Sequence, residues 1–198
     1  MDNSTMAKQI GITGNIGAGK TTVCRELERL GVPVYYADQR AKTLMATDAA
    51  LRTAITAEFG PEAYTPEGLN RTYIGELVFT HPERLTALNA LVHPAVAQDA
   101  ARWHAEQRAD YTLHEAAILL EIGAQDRYDA VVVVHCPEPI RRRRVMQRDG
   151  STAEAFAQRA AQQWPDERKV AAADYVIVND GSRLLLPQLL RLDRQLRT

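Results

Sequence analysis

The sequence predicts an α/β fold in which helices cover a five-stranded parallel sheet. Three observations support this. Apolar, β-branched runs recur along the chain, long stretches with helical periodicity separate them, and the first run ends in a glycine-rich turn that opens a helix. The first strand is expected over residues 9–13, inside "IGITGNIGAGKTTVCREL", with a helix beginning near Lys20. The second covers 33–36 and precedes a mostly helical stretch that reaches Asp110. That stretch is interrupted at "GPEAYTPEG" and at Pro82 and Pro94. A weaker third strand covers 111–114, and "AVVVVHC" reads as a central strand over 131–136. Another helical stretch, rich in Arg, Gln and Ala, runs to residue 173 and breaks at "RDGST", where Ser151 is the expected N-cap. The fifth strand covers 175–178, and spaced leucines mark a last helix from about Ser182.

Two of the connections are too long for simple crossovers. A single domain over 7–198 is therefore expected to comprise a core (about 7–45, 108–137 and 173–198), a helical insert of about 46–107 and a helical lid of about 138–172.

Bulk properties exclude several function classes. A net charge of −1 over 198 residues offers no basic field for nucleic acid or an anionic membrane. The two cysteines, Cys24 and Cys136, are far apart and in no metal-binding spacing, as in a reduced, cytoplasmic protein. No apolar run approaches the length of a membrane span. The N-terminus, "MDNSTMAKQ", lacks an export signal and reads as a frayed tail. A monomer is the favoured state.

Gly14, Gly19, Lys20 and Thr21 satisfy G-x-x-x-x-G-K-[ST] between a strand and a helix, which assigns the P-loop NTPase fold. Glycines let the backbone N–H groups wrap a phosphate, and the helix start presents its positive end to the same anion. Lys20 can bridge β- and γ-phosphates, and the Thr21 hydroxyl can ligate Mg²⁺. The expected cofactors are ATP and Mg²⁺. No N-K-x-D motif exists to read guanine, and no strand leads into D-x-x-G to form a switch. Asp38, after "VPVYYA", falls at the carboxyl end of the second strand, where ligands of doubly wound sheets collect. It can orient and deprotonate an acceptor hydroxyl, or it can cap the helix of "QRAKTLM". In "PIRRRRVMQRD", Arg141, Arg144 and Arg148 share one helical face, suited to closing over a phosphoryl group or to lying solvated. Glu115 or Glu121 can hold a Mg²⁺-bound water, or start a helix.

These motifs, in this order, resemble those of dephospho-CoA kinases, over a span from Lys8 to the final helix. "ITGNIGAGKTTV" is similar to that family's "LTGGIGSGKSTV", "VYYAD" to "VIDAD", and "LNRTYIGELVF" to "LDRxxLxxxVF". "LNALVHPAV", "AILLE", "RVMQRD" and "ADYVIVNDG" resemble its "L-x-x-I-x-H-P", "PLLFE", lid arginines and "AD-x-V-I-x-N-x-G". The resemblance implies ATP-dependent phosphorylation of the ribose 3′-hydroxyl of dephospho-CoA. It implies that Gly14, Asn15, Gly17, Ala18, Gly19, Lys20, Thr21 and Thr22 cradle the ATP phosphates, with Asn179 beside the adenine. Asp38 would activate the hydroxyl, Arg144 and Arg148 would close from the lid, and Arg71 and His93 would serve the acceptor. His93 precedes Pro94, a pair that also suits a first helical turn with a core histidine. Four positions depart from the pattern. Asn15 replaces a glycine at a place that can call for positive φ, Tyr36 an aspartate, Ala117 a proline and Arg141 a glutamine. The alternatives are another small-metabolite kinase, acting on a nucleoside or sugar acid, and a nucleotide-dependent switch ATPase.

Overall fold

The computed structural model describes residues 6–198; the first five residues of the polar tail lie outside them. The chain opens with β1 (Lys8–Thr13), α1 (Lys20–Arg29) and β2 (Val34–Tyr36). There follow α2 (Ala37–Thr47), α3 (Ala49–Phe59), the short strands β3 (Tyr64–Thr65) and β4 (Gly68–Leu69), α4 (Arg71–Thr80) and α5 (Pro82–Ala105). The remainder is β5 (Tyr111–Glu115), β6 (Ala130–His135), α6 (Glu138–Asp149), α7 (Ala153–Ala160), α8 (Asp166–Ala171), β7 (Tyr175–Val178) and α9 (Leu185–Leu196).

Two compact units result. One takes the chain up to Tyr36 and from His104 onward; the other is Ala37–Trp103. The second unit begins at Ala37 rather than near 46 because α2 packs its Leu44, Ala41 and Met45 into that unit's own core.

In the first unit, five parallel strands stand in the order β2-β5-β1-β6-β7. The register aligns Tyr36 and Ile12 with Glu115, so the carboxyl ends of β2, β5 and β1 lie level. Alternation along β6 divides its side chains between two cores. Val132, Val134 and Cys136 join Ile12, Val23, Cys24 and Leu27 of the α1 side, with Leu189 and Leu192 of α9. Val131 and Val133 join Leu119, Leu120 and Val170 on the other face. Strands buried on both faces read as continuous apolar runs, which is why "AVVVV" is legible. Both thiols, Cys24 and Cys136, are buried, and burial pushes both up from the ordinary thiol range.

His114 of β5 lies 4.9 Å (ring centroids) from Tyr35 and 5.4 Å from Tyr128. Burial, with Arg127 nearby, lowers its imidazole to about 4 from the usual 6.5. Between these values the unfolded chain binds a proton that the folded one refuses, so stability falls as pH drops through that window. Denaturant titrations from pH 7 to 4 should show a loss of on the order of 3 kcal/mol at most, flattened in His114→Phe. An unchanged slope in that variant would contradict the assignment.

The second unit is helical, with a core of Leu44, Leu51, Ile55, Phe59, Ala63, Ile74 and Val92. Two local expectations change here. "GPEAYTPEG" is not a plain break but holds the antiparallel pair β3 and β4, with Tyr64 opposite Leu69. Pro94 does not interrupt α5, which runs 24 residues through it; Pro82 supplies the break by starting that helix. Contacts of Leu88, Leu91, Val92, Ala95 and Val96 on both sides of the proline hold the helix despite the missing hydrogen bond. In the first unit, α7 is capped by Thr152, whose hydroxyl accepts from the Ala155 amide, and not by Ser151.

Candidate active site

The phosphate loop follows β1 directly, and its glycines are dictated by close neighbours. Gly17 has φ +82°, and a Cβ there would stand 2.7 Å from the Arg141 carbonyl oxygen. Gly19 has φ +92°, and its missing Cβ would collide with the Asn179 side chain. Gly19 is also the N-cap of α1, without a side chain to fill the first turn, and that turn holds no acidic residue. The Thr22 amide donates to Gly19 O at 3.0 Å, and the positive end of the helix dipole faces the loop, where it favours an anion.

Lys20 donates from Nζ to the Gly14 carbonyl at 2.9 Å and stands 3.9 Å from the Glu115 carboxylate. The ammonium is thereby held across the mouth of the loop rather than extended into solvent. Thr21 and Thr22 are exposed at the helix start. Asn179, just after β7, donates to the Ala18 carbonyl at 2.8 Å, while its own carbonyl accepts from Arg144 at 2.9 Å. The "ND" turn is real as well: Asp180 accepts from the Ser182 amide and hydroxyl.

The family model for dephospho-CoA kinase matches residues 8–184, nearly the whole chain. The chain belongs to the dephospho-CoA kinase family. A dephospho-CoA kinase of Bacteroides fragilis is 37% identical over 188 residues, covering 94% of this chain and 92% of that protein. The solved structure of TT1252 from Thermus thermophilus is similar at a TM-score of 0.83 and 35% identity, with 96% of each chain covered. A dephospho-CoA kinase from Campylobacter jejuni shares the fold, at a TM-score of 0.70 and 24% identity, over 97% of this chain and 98% of that one.

The departures from the dephospho-CoA kinase pattern have structural explanations. Asn15 needs no positive φ, since no non-glycine residue among those described has one. It is buried, and its side-chain amide donates to Trp164 O (3.1 Å) and Asp166 Oδ1 (2.7 Å). Arg141 is not a mobile lid arginine. It is buried, donating to Cys136 O (2.8 Å), Ile16 O (3.3 Å) and Asp166 Oδ2 (2.8 Å). Position 117 acts through its backbone: the Ala117 carbonyl accepts from Thr13, Gln163 and Lys169. Tyr36 donates from its hydroxyl to Glu28 of α1 at 2.9 Å.

The two candidate glutamates separate clearly. Glu121 accepts through Oε1 from the Trp164 amide and from Lys169 Nζ, both at 2.8 Å, which ties it to the stretch before β7, while its buried Oε2 has no hydrogen-bond partner. Glu115 stays beside Lys20. The structure brings the loop, Glu115, Asn179 and Arg144 together within the first unit. Arg148 instead pairs with its neighbour Asp149, and holds that carboxyl down to about 2. Asp38 is exposed in the first turn of α2, one residue inside the helix, and so is not its N-cap. Arg71 opens α4 behind the Asn70 cap, and His93 is exposed on α5 rather than filling a core niche.

Sequence reasoning missed Gln163, Asp166 and Lys169. Gln163 accepts from the Ile16 amide at 2.7 Å, directly on the phosphate loop. The usable signal was Pro165 followed by two acids, a helix start immediately after the lid stretch.

Proposed function

We propose that this dephospho-CoA kinase family member transfers the γ-phosphoryl group of ATP to the ribose 3′-hydroxyl of dephospho-CoA, completing coenzyme A. The observation that carries this reading is the family match over 8–184, on a chain whose phosphate loop is fully formed.

The 3′-oxygen attacks the γ-phosphorus as the bond to the β,γ-bridging oxygen breaks, and ADP leaves. Asp38 takes the hydroxyl proton and aligns the oxygen, while Lys20 and the loop amides stabilise charge on the transferring group. Arg144 and Arg148 close over the phosphates and exclude water, with Asn179 beside the adenine. Arg148 first gives up an exposed pair with Asp149, which costs little. Arg71 and His93 bind the acceptor.

The described residues hold no cluster of three or more His, Cys, Asp or Glu suited to a metal ion. The site still fits Mg²⁺, which prefers a few oxygen donors, several waters and substrate phosphates. Thr21 would hold it by the hydroxyl, with Glu115 placed to accept from a bound water. The ion would neutralise charge on the β- and γ-phosphates. Among the described residues no helix is long and apolar enough to cross a membrane, and we propose a monomeric, cytoplasmic enzyme.

With ATP, Mg²⁺ and dephospho-CoA, mass spectrometry should find a product one phosphate heavier than the acceptor, equimolar with ADP. ADP without that product, or much faster phosphorylation of a nucleoside or sugar acid, would overturn the reading.

A further inference from the structure

The front of the phosphate loop is strapped from both sides by one carboxylate. Asp166 Oδ1 accepts from Asn15, and Asp166 Oδ2 accepts from Arg141. Arg141 passes the constraint on, because its guanidinium also donates to the Ile16 carbonyl. The amide of Ile16 is held by Gln163, three residues before Asp166. Both sides of the Ile16 residue, together with the Asn15 side chain, are therefore fixed by groups outside the loop. The Arg141 side chain is only 4% exposed, so Asp166 is also the counter-charge of a buried cation.

The placement in the chain matters. Arg141 lies in α6, where the chain leaves the core for the expected lid, and Asp166 begins α8, where it returns. The two ends of the lid segment are thus bolted together at the loop, and α7 lies between the bolts.

We propose that Asp166 is a positioning residue for nucleotide binding: through Asn15 and Arg141 it sets the shape of the 15–16 segment and hence the direction of the amides that grip the triphosphate. The inference rests on the kinase reading only in requiring ATP in the loop. Catalytic chemistry does not pass through Asp166.

The test uses Asp166→Asn, Asn15→Ala, their double variant, and Arg141→Gln/Asp166→Asn, all in the full chain. ATP affinity is measured by calorimetry without acceptor, and KM and kcat by ADP release with it. Asp166→Asn should weaken ATP about tenfold, change kcat less than threefold, and leave the KM for dephospho-CoA within twofold. Asn15→Ala should weaken ATP about fivefold, and the double variant should be no worse than Asp166→Asn, as expected of one network. The paired variant should recover part of the loss, since it removes the stranded guanidinium along with its partner.

ATP affinity within twofold of the parent in Asp166→Asn, additive losses in the double variant, or equal rises in both KM values would overturn the proposal. If Asp166→Asn fails to fold, Asn15→Ala decides by the same criterion, because it leaves the Arg141–Asp166 pair intact. A parent protein that binds ATP yet phosphorylates no dephospho-CoA would sink the acceptor assignment while the affinity series still judges Asp166.

Discussion

Asp38→Asn is expected to lower kcat by about two orders of magnitude or more while leaving ATP affinity close to normal. The carboxylate is two residues past Tyr36, whose register places it level with Glu115 and with the end of β1. The residue is exposed and not the cap of α2, so a structural penalty of the cap-loss kind does not apply. Asparagine keeps the shape and one acceptor oxygen but cannot take the hydroxyl proton at neutral pH. The loss should therefore fall on turnover and not on nucleotide binding. Calorimetric ATP titration beside steady-state rates separates the two, and full turnover in this variant would remove Asp38 from the chemistry.

Lys20→Ala has the other large effect, of a different kind. The lysine donates to Gly14 O and stands 3.9 Å from the Glu115 carboxylate. Its removal takes away the charge that draws on the γ-phosphate. It also takes a positive charge from beside the buried Glu115 carboxylate, next to the place where a polyanion must enter. Both consequences act on ATP, so kcat/KM for ATP should fall by about three orders of magnitude, with affinity and turnover declining together. Unchanged affinity would show that the loop amides alone hold the triphosphate, and would return Lys20 to a purely structural role.

The contrast between these residues and Asp166 shows what a linear sequence reveals. β6 was legible almost to the residue, since a strand buried on both faces reads as a continuous apolar run, and β1 was legible from its buried end, Ile10 to Thr13, after the more exposed Lys8 and Gln9. The loop was legible because wrapping a phosphate requires glycine at fixed spacing, and the structure gives Gly17 and Gly19 their positive φ. Pro94 misled, because a local helix-breaking rule was overridden by apolar contacts along α5. Asn15 and Arg141 looked like unrelated departures from a family pattern. They meet at Asp166, across 151 and 25 residues of sequence, and no local rule reports such a meeting. The cap at Thr152 rather than Ser151 is a smaller case of the same kind: adjacent hydroxyls are equally good in composition, and only backbone geometry chooses.

The deep placement of Cys24 and Cys136 bears on how such a catalyst handles its acceptor. Dephospho-CoA ends in a free sulfhydryl, and in air such a molecule readily forms mixed disulfides with accessible protein thiols. Here the chain's two cysteines are both sealed in the interior and held protonated. The folded protein thus offers its own substrate no partner for oxidation, and an oxidised preparation should be repaired by reducing the small molecule alone.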